Sequence, residues 1–188
     1  MARGKDPQYI KKITGREIKL FKQLARTGLT DKTQAKIFCN LNPDRLAKLE
    51  KSGYIKRQVH AVEGKPTEII RLDVKGKNFC KNDLGFRSFA VAQTNHLTHD
   101  LKVSAAYYSL PEKVQETWEH ERDILQDIYD KTPKMQGKMT TCIDARVTVG
   151  NVKVAIEVVG SSYSQGMLVL KQEIALNLAG CQSIEFVR

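Results

Sequence analysis

The chain has 188 residues, of which 41% are hydrophobic and 28% are charged, and its formal net charge at pH 7 is +10. These proportions are typical of a soluble globular protein, and the lack of a long apolar window excludes a membrane span. The first twelve residues are basic but lack the apolar stretch of a secretory signal. The four cysteines stand singly, without zinc-ligand spacing, which predicts buried reduced thiols in a cytoplasmic protein.

The positive charge is concentrated in the first half of the chain. Residues 1–85 contain 20 basic and 9 acidic residues, a net charge of +11, whereas residues 86–188 contain 11 basic and 12 acidic residues. A localised basic surface is typical of proteins that bind DNA, because it attracts the phosphate backbone. We therefore predict two domains, residues 1–85 and 86–188, of which the first binds DNA.

Two helices are predicted early in the first domain. Thr14 and Glu17 have the spacing of a capping box, and Gly28 is expected to end the helix that follows. Asp31 can cap a second, short helix, in which we expect Ile37 to be among the residues that face the core.

A third helix and a hairpin complete the pattern of this domain. Asn42 is a suitable N-cap before Pro43, and the helix is expected over residues 43–52. Alternating residues on both sides of a turn at Gly64 predict a β-hairpin over residues 54–72. This order predicts a winged helix-turn-helix, with the third helix in the major groove and the hairpin as the wing. The candidate DNA-binding residues are Lys32, Thr33, Asn42, Arg45, Lys48, Lys51, Lys56, Arg57 and Lys65.

The second domain is predicted to be an α/β unit. Helices are followed by two strands joined at Gly150–Asn151, by a further helix capped near Ser164 and by a final strand. The first of its helices is expected to be capped by Asn95. His96 and His99 lie on that helix, and we interpret both as structural residues, because a metal site needs further ligands.

Two carboxylates on neighbouring strands, Asp144 and Glu157, are the candidate catalytic and metal-binding residues. In magnesium-dependent nucleases such a pair holds the metal ion, and a lysine two residues after the glutamate orients the attacking water. Here Val159 stands at the lysine position, and Lys171 or Lys153 is the possible substitute. We interpret the pair as a network retained for stability without catalysis, with an active Mg²⁺ site as the alternative.

Several segments spread over residues 14–187 carry a resemblance to a known family. They are LTDKTQAKIF, RLAKLEKSGYIKR, IIRLDVKGKNF, HLTHDLKV, WEHERDIL and IDARVTVGNVKVAIEVVG. Together they resemble the replication-relaxation family of plasmid and mobile-element proteins. The resemblance implies an α+β chain in which a winged helix precedes a domain that looks like the restriction-endonuclease fold. It also implies that the family's acidic positions fall on Asp100, Glu121, Asp144 and Glu157.

The expected function combines the basic domain with this resemblance. We expect a DNA-binding accessory or regulatory protein that acts in replication, relaxation or transfer at an origin, with no cofactor. Its expected partners are double-stranded DNA, a second copy of the chain, and replication or relaxase proteins. The alternatives are a Mg²⁺-dependent nuclease that uses Asp144, Glu157 and Lys171, and a winged-helix transcriptional repressor.

Overall fold

The computed structural model describes Ile10 and residues 12–188, so the expectation about a secretory signal lies almost wholly outside the described residues. The fold is mixed α+β and contains two sheets. The chain divides into two compact units, with the boundary between Ala92 and Gln93. None of the helices in the described part is long and apolar enough to cross a membrane.

Unit 1, which ends at Ala92, consists of helices and one small sheet. In chain order its elements are α1 (Gly15–Thr27), β1 (Thr30–Asp31), α2 (Lys32–Cys39), α3 (Pro43–Lys51), β2 (Ile55–Val62), β3 (Lys65–Leu72) and α4 (Val74–Asn82).

The predicted start and end of α1 are confirmed. The side chain of Glu17 accepts a hydrogen bond from the backbone N–H of Thr14 at 2.7 Å, which completes the capping box. Gly28 ends the helix with a φ of 83°, a left-handed conformation that costs glycine little.

The starts of α2 and α3 are confirmed as well. Asp31 accepts a hydrogen bond from the backbone N–H of Gln34 at 2.7 Å. Asn42 does the same for Arg45 at 2.8 Å and is followed by a proline, as predicted. The inward orientation expected for Ile37 is wrong, because this side chain is 66% exposed.

The hairpin is confirmed, and it forms part of a three-stranded sheet. β2 and β3 pair antiparallel from Ile55↔Leu72 to Val62↔Lys65, and β1 lies on the other side of β3. Glu63 and Gly64 form the turn with φ values of 50° and 76°, which suits a two-residue hairpin loop. β1 was not predicted, because a strand of two residues has no alternation to detect.

An aromatic group lies at the centre of the unit 1 core. The ring of Phe21 stacks on that of Tyr54 at 5.6 Å and meets that of Phe79 edge-on at 5.7 Å. These rings join α1, the start of the hairpin and α4. Gly76 permits the close approach of α4, because a Cβ there would lie 2.1 Å from the carbonyl oxygen of Tyr54.

The boundary of unit 1 lies later in the chain than the predicted end at Gly85. Residues 86–92 pack back on the unit: the N–H of Ala90 donates to the carbonyl oxygen of Ala25 at 2.9 Å. The Arg26 guanidinium lies over the Phe86 ring at 5.5 Å. These contacts extend unit 1 beyond the predicted boundary at Gly85.

Unit 2 begins at Gln93 and contains the second sheet. In chain order its elements are α5 (Leu97–Ser109), α6 (Glu112–Gln115), β4 (Glu119–His120), α7 (Glu121–Lys131), a 3₁₀ turn (Pro133–Met135), β5 (Ala145–Val149), β6 (Val152–Val158), α8 (Gln165–Glu173), a π-helical segment (Ile174–Leu178) and β7 (Ser183–Val187). The strand order is β4-β5-β6-β7, and only β6 and β7 are parallel.

Most of the predicted elements of unit 2 are present, with two corrections. The Ser164 hydroxyl caps α8, as expected, by accepting from the N–H of Met167 at 3.2 Å. The residue that precedes α5 is His96 rather than Asn95. Asp144 lies directly before β5 rather than within it, which places its side chain at the end of the sheet.

The core of unit 2 is largely apolar, and it also encloses a buried arginine. Arg146 is 1% exposed, and its guanidinium contacts Glu119 at 2.6 Å and Asp127 at 2.8 Å. It thereby ties β5 to β4 and α7. The four cysteines of the chain are free and buried, as the sequence predicts.

Gly76→Ala should destabilise unit 1, because the new Cβ would overlap the carbonyl oxygen of Tyr54. We expect a loss of about 1–3 kcal/mol in the free energy of unfolding, measured by denaturant titration. Gly15→Ala is the matched control, since nothing lies within 4 Å of its Cβ position. Equal stabilities of the two variants would contradict the close packing of α4.

Candidate nucleic-acid interface and buried charged cluster

Arg45, a candidate base-reading residue, is held inside unit 1. Its Nε contacts Glu17 Oε1 at 2.6 Å, and an Nη donates to the carbonyl oxygen of Lys12 at 2.9 Å. Glu17 is 1% exposed. Burial alone would raise the pKa of Glu17, but hydrogen bonds from Arg45 and Thr14 outweigh it and hold that pKa below its ordinary value. Arg45 therefore joins α3 to the start of α1.

Two candidate residues of the hairpin are also paired within the unit. The Arg57 guanidinium contacts Glu50 at 2.7 Å and Glu68 at 3.3 Å, and it is 19% exposed. Lys56 lies 3.3 Å from Asp73 but is 62% exposed. Arg57 thus fixes the hairpin to the end of α3, whereas Lys56 makes only a weak pair at the surface.

Most of the remaining candidate residues are available to a partner. Asn42 is exposed but already caps α3. Five further candidates have no side-chain hydrogen bond or ion pair to the described residues. Lys48 is the half-buried one of the five, and the other four are exposed. The five are Lys32 and Thr33 in the first turn of α2, Lys48 and Lys51 on α3, and Lys65 at the hairpin turn.

In unit 2 the two predicted carboxylates meet a lysine and a tyrosine. Glu157 on β6 is fully buried, and its Oε1 accepts from the Lys171 ammonium at 2.6 Å and from the Tyr163 hydroxyl at 2.7 Å. Its Oε2 accepts from the backbone N–H of Asp144 at 3.2 Å. Lys171 also donates to the carbonyl oxygen of Cys142. The cation beside Glu157 is therefore Lys171 on α8, the predicted substitute for a lysine at position 159.

A histidine completes the cluster. His99 Nε2 lies 3.2 Å from Asp144 Oδ2, and His99 Nδ1 lies 3.3 Å from Asp100 Oδ1. Asp144 Oδ2 also accepts from the backbone N–H of Val158 at 2.7 Å. Hydrogen bonds to Asp100 and Asp144 raise the pKa of His99 to about 10, so the ring is an imidazolium at neutral pH.

The carboxylates influence one another's protonation. Burial raises the pKa of Glu157, and the charge of Asp144 adds to this shift, while Lys171 and Tyr163 oppose it. Desolvation by neighbouring protein atoms raises the pKa of Glu121, and the charge of Asp144 adds to this shift. The Glu121 side chain is nevertheless exposed. Asp100, Glu121, Asp144 and Glu157 thus act as one electrostatic group, with Lys171 and His99 as counter-ions.

The two predicted metal ligands, Asp144 and Glu157, are both bound by protein groups. No three His, Cys, Asp or Glu side chains of the described residues surround a common ion position. Glu157 is bound by the Lys171 ammonium and the Tyr163 hydroxyl, and Asp144 is bound by the His99 ring. Glu157 and the side chain of Lys171 are 0% and 5% exposed, so neither touches a bound phosphodiester without a rearrangement.

His99 is the cluster residue whose partner, Asp144, the sequence does not predict. The sequence favours a structural role for His99, and nothing in its spacing indicates Asp144, which is 45 positions later in the chain. The available signal was its neighbour Asp100 in HLTHD, since adjacent imidazole and carboxylate groups often form a pair. His96, by contrast, is exposed at the start of α5.

Comparison with protein-family models, curated proteins and solved structures gave no match for this chain. The interpretation of both sites therefore depends on their residues and geometry.

Arg45→Ala should lower stability rather than act only on DNA binding. It leaves the Glu17 carboxylate buried without its cation, which costs about 3 kcal/mol. Because the pKa of Glu17 is lowered in the fold, the stabilisation is present above the ordinary carboxylate pKa and is lost as pH falls through the folded value. Denaturant unfolding between about pH 7 and pH 3 should therefore show a weaker acid dependence in Arg45→Ala. Lys48→Ala is the control, and an equal stability of both variants would contradict the pairing.

Lys171→Met should destabilise unit 2 by about 3–5 kcal/mol, because it leaves Glu157 buried beside Asp144 without its cation. Adding Glu157→Gln should restore part of the loss, which a double-mutant cycle measures. Lys131→Met is the matched control, since Lys131 is 58% exposed and pairs with Asp127 at the surface. If the two lysine variants unfold alike, the buried pair contributes nothing.

Proposed function

We propose that this protein binds double-stranded DNA through unit 1, and that unit 2 serves a non-catalytic role. The observation that carries the proposal is the set of basic side chains on α2, α3 and the hairpin turn that have no ion pair or hydrogen bond to the described residues. Other basic residues of the same unit, Arg45 and Arg57, are paired internally, so the free ones remain for an external anion.

The order of elements in unit 1 supports this proposal. A helix, a short strand, two helices and a hairpin follow one another, and the hairpin pairs with the short strand. This is the order of a winged helix-turn-helix, in which the third helix enters the major groove. In that arrangement Lys48 and Lys51 lie on the groove helix, Lys32 and Thr33 flank it, and Lys65 lies on the wing.

The closed cluster of unit 2 supports a role without catalysis. Nuclease chemistry needs carboxylates open to a metal ion and a base open to water. Val159 replaces the usual lysine, and the substitute, Lys171, is engaged with Glu157 and a carbonyl oxygen. The resemblance to the replication-relaxation family then favours an accessory or regulatory protein at a plasmid or mobile-element origin. In that role unit 2 would dock a second copy of the chain or a replication or relaxase protein.

The test is the salt dependence of duplex binding by the full chain. Each phosphate contact contributes about −0.9 to the slope of log K against log salt. Lys48→Ala and Lys51→Ala should each weaken binding and reduce that slope by about one contact. Lys134→Ala and Lys138→Ala in unit 2 remove the same charge and should leave the slope unchanged. Equal effects of all four substitutions would contradict an interface on unit 1.

A second candidate function is metal-dependent hydrolysis of DNA. The observation that favours it is the ammonium of Lys171, which lies 2.6 Å from Glu157 although it comes from α8. A lysine that reaches the glutamate from a different element can replace the one missing at Val159.

A nuclease assay on supercoiled and linear DNA, with Mg²⁺ or Mn²⁺, distinguishes the two candidates. Under the first proposal we expect no cleavage by the wild type. Nicking that needs the metal and disappears in Asp144→Asn, Glu157→Gln and Lys171→Ala, but not in Lys131→Ala, would establish the second. DNA binding should be retained in all of these variants.

A further inference from the structure

The outward face of α3 carries one acidic residue among basic ones. Asp44, Lys48 and Lys51 follow one another at intervals of four and three positions, so their side chains lie on the same side of the helix. Asp44 and Lys51 are exposed, and Lys48 is half-buried. Arg45, the only arginine of α3, is turned away toward Glu17. The side chains left on this face to read bases are therefore those of Asp44, Lys48 and Lys51, of which Lys48 lies one helical turn from Asp44.

Asp44 has no hydrogen bond or ion pair to the part of the chain that the structure describes. An ion pair with Lys48, one turn further on, is not formed, although that spacing permits it. In a surface that attracts phosphates, an unpaired carboxylate opposes binding through its charge. Such a carboxylate favours binding only where it accepts a hydrogen bond. The major-groove amines are N4 of cytosine and N6 of adenine, and the amine that acidic side chains characteristically bind is N4 of cytosine.

Lys48 supplies the complementary chemistry one helical turn away. A lysine ammonium donates to O6 and N7 of guanine, the acceptors that face the major groove. Cytosine N4 and guanine O6 and N7 belong to the same base pair or to neighbouring pairs. An aspartate and a lysine on one face of a groove helix therefore match a C·G pair.

We infer that Asp44 is a specificity-determining residue, which selects duplexes with cytosine at one position while Lys48 contacts guanine beside it. This inference rests on the proposed function, since it requires α3 to enter the major groove. Asp44 lowers the affinity for duplexes that have any other base pair at that position. It therefore increases sequence discrimination and weakens non-specific binding.

The experiment is a selection of duplexes from a randomised pool by the full-length protein. It is followed by affinity measurements on the preferred duplex and on its single-base-pair variants. The variants compared are the wild type, Asp44→Asn and Asp83→Asn. Asp83 is exposed at the end of α4, so its substitution makes the same change in net charge away from α3. Thermal unfolding verifies that both variants are folded.

We expect the wild type to select a C·G pair that Asp44→Asn no longer prefers, with a loss of discrimination there of about fivefold or more. Asp44→Asn should also bind the other base pairs at this position more tightly, whereas Asp83→Asn keeps the wild-type preference. An unchanged preference in Asp44→Asn would overturn the inference and would leave Asp44 as a charge that only stabilises the first turn of α3. Binding without any base preference in the wild type would overturn it too, while DNA binding itself stood. A wild type that binds no duplex would overturn the proposed function and this inference together.

Discussion

A carboxylate removed from water needs a cation or several hydrogen-bond donors beside it, and each unit of this protein contains one such group. In unit 1 it is Glu17, which is held by Arg45 and by the N-cap residue Thr14. In unit 2 it is Glu157, which is held by Lys171, Tyr163 and the backbone of Asp144. The first pair joins α1 to α3, which are separated by α2, and the second joins the consecutive elements β6 and α8. The packing of the helices therefore depends on satisfying these two charges.

The same constraint divides the basic residues of unit 1 into two groups. Arg45 and Arg57 have buried or half-buried carboxylate partners and act as internal cross-links. The lysines of α3 and of the hairpin turn have none among the described residues and contribute their charge to the surface. Net charge alone does not distinguish these groups, yet only the second one can attract a phosphate backbone. The proposed interface is for this reason smaller than the net charge of the first half suggests.

In unit 2 the pairing accounts for the arrangement of the acidic residues. Four carboxylates without counter-ions would repel one another or take up protons. Lys171 and His99 supply two positive charges, and the hydrogen bonds to Asp100 and Asp144 keep the His99 ring protonated. The result is a network in which Asp144 and Glu157, the two predicted metal ligands, are engaged by the protein itself. This is the physical basis for preferring a stabilising role over catalysis.

The sequence by itself determined those helix ends and turns that depend on residues close together in the chain. The capping box of α1, the Asn-Pro start of α3, the Glu63–Gly64 turn and the two strands around Gly150–Asn151 all follow from residues within a few positions of one another. The sequence also identified Asp144, Glu157 and Lys171 as candidates for one site. Only the tertiary structure decided that Arg45 serves Glu17 rather than a base, that His99 reaches Asp144, and that residues 86–92 belong to unit 1. In each of these cases the partners are far apart in the chain, and periodicity and capping patterns carry no information about such pairs. Which charges are neutralised inside the fold and which face a partner is set by long-range packing, and that distinction decides what each unit can bind.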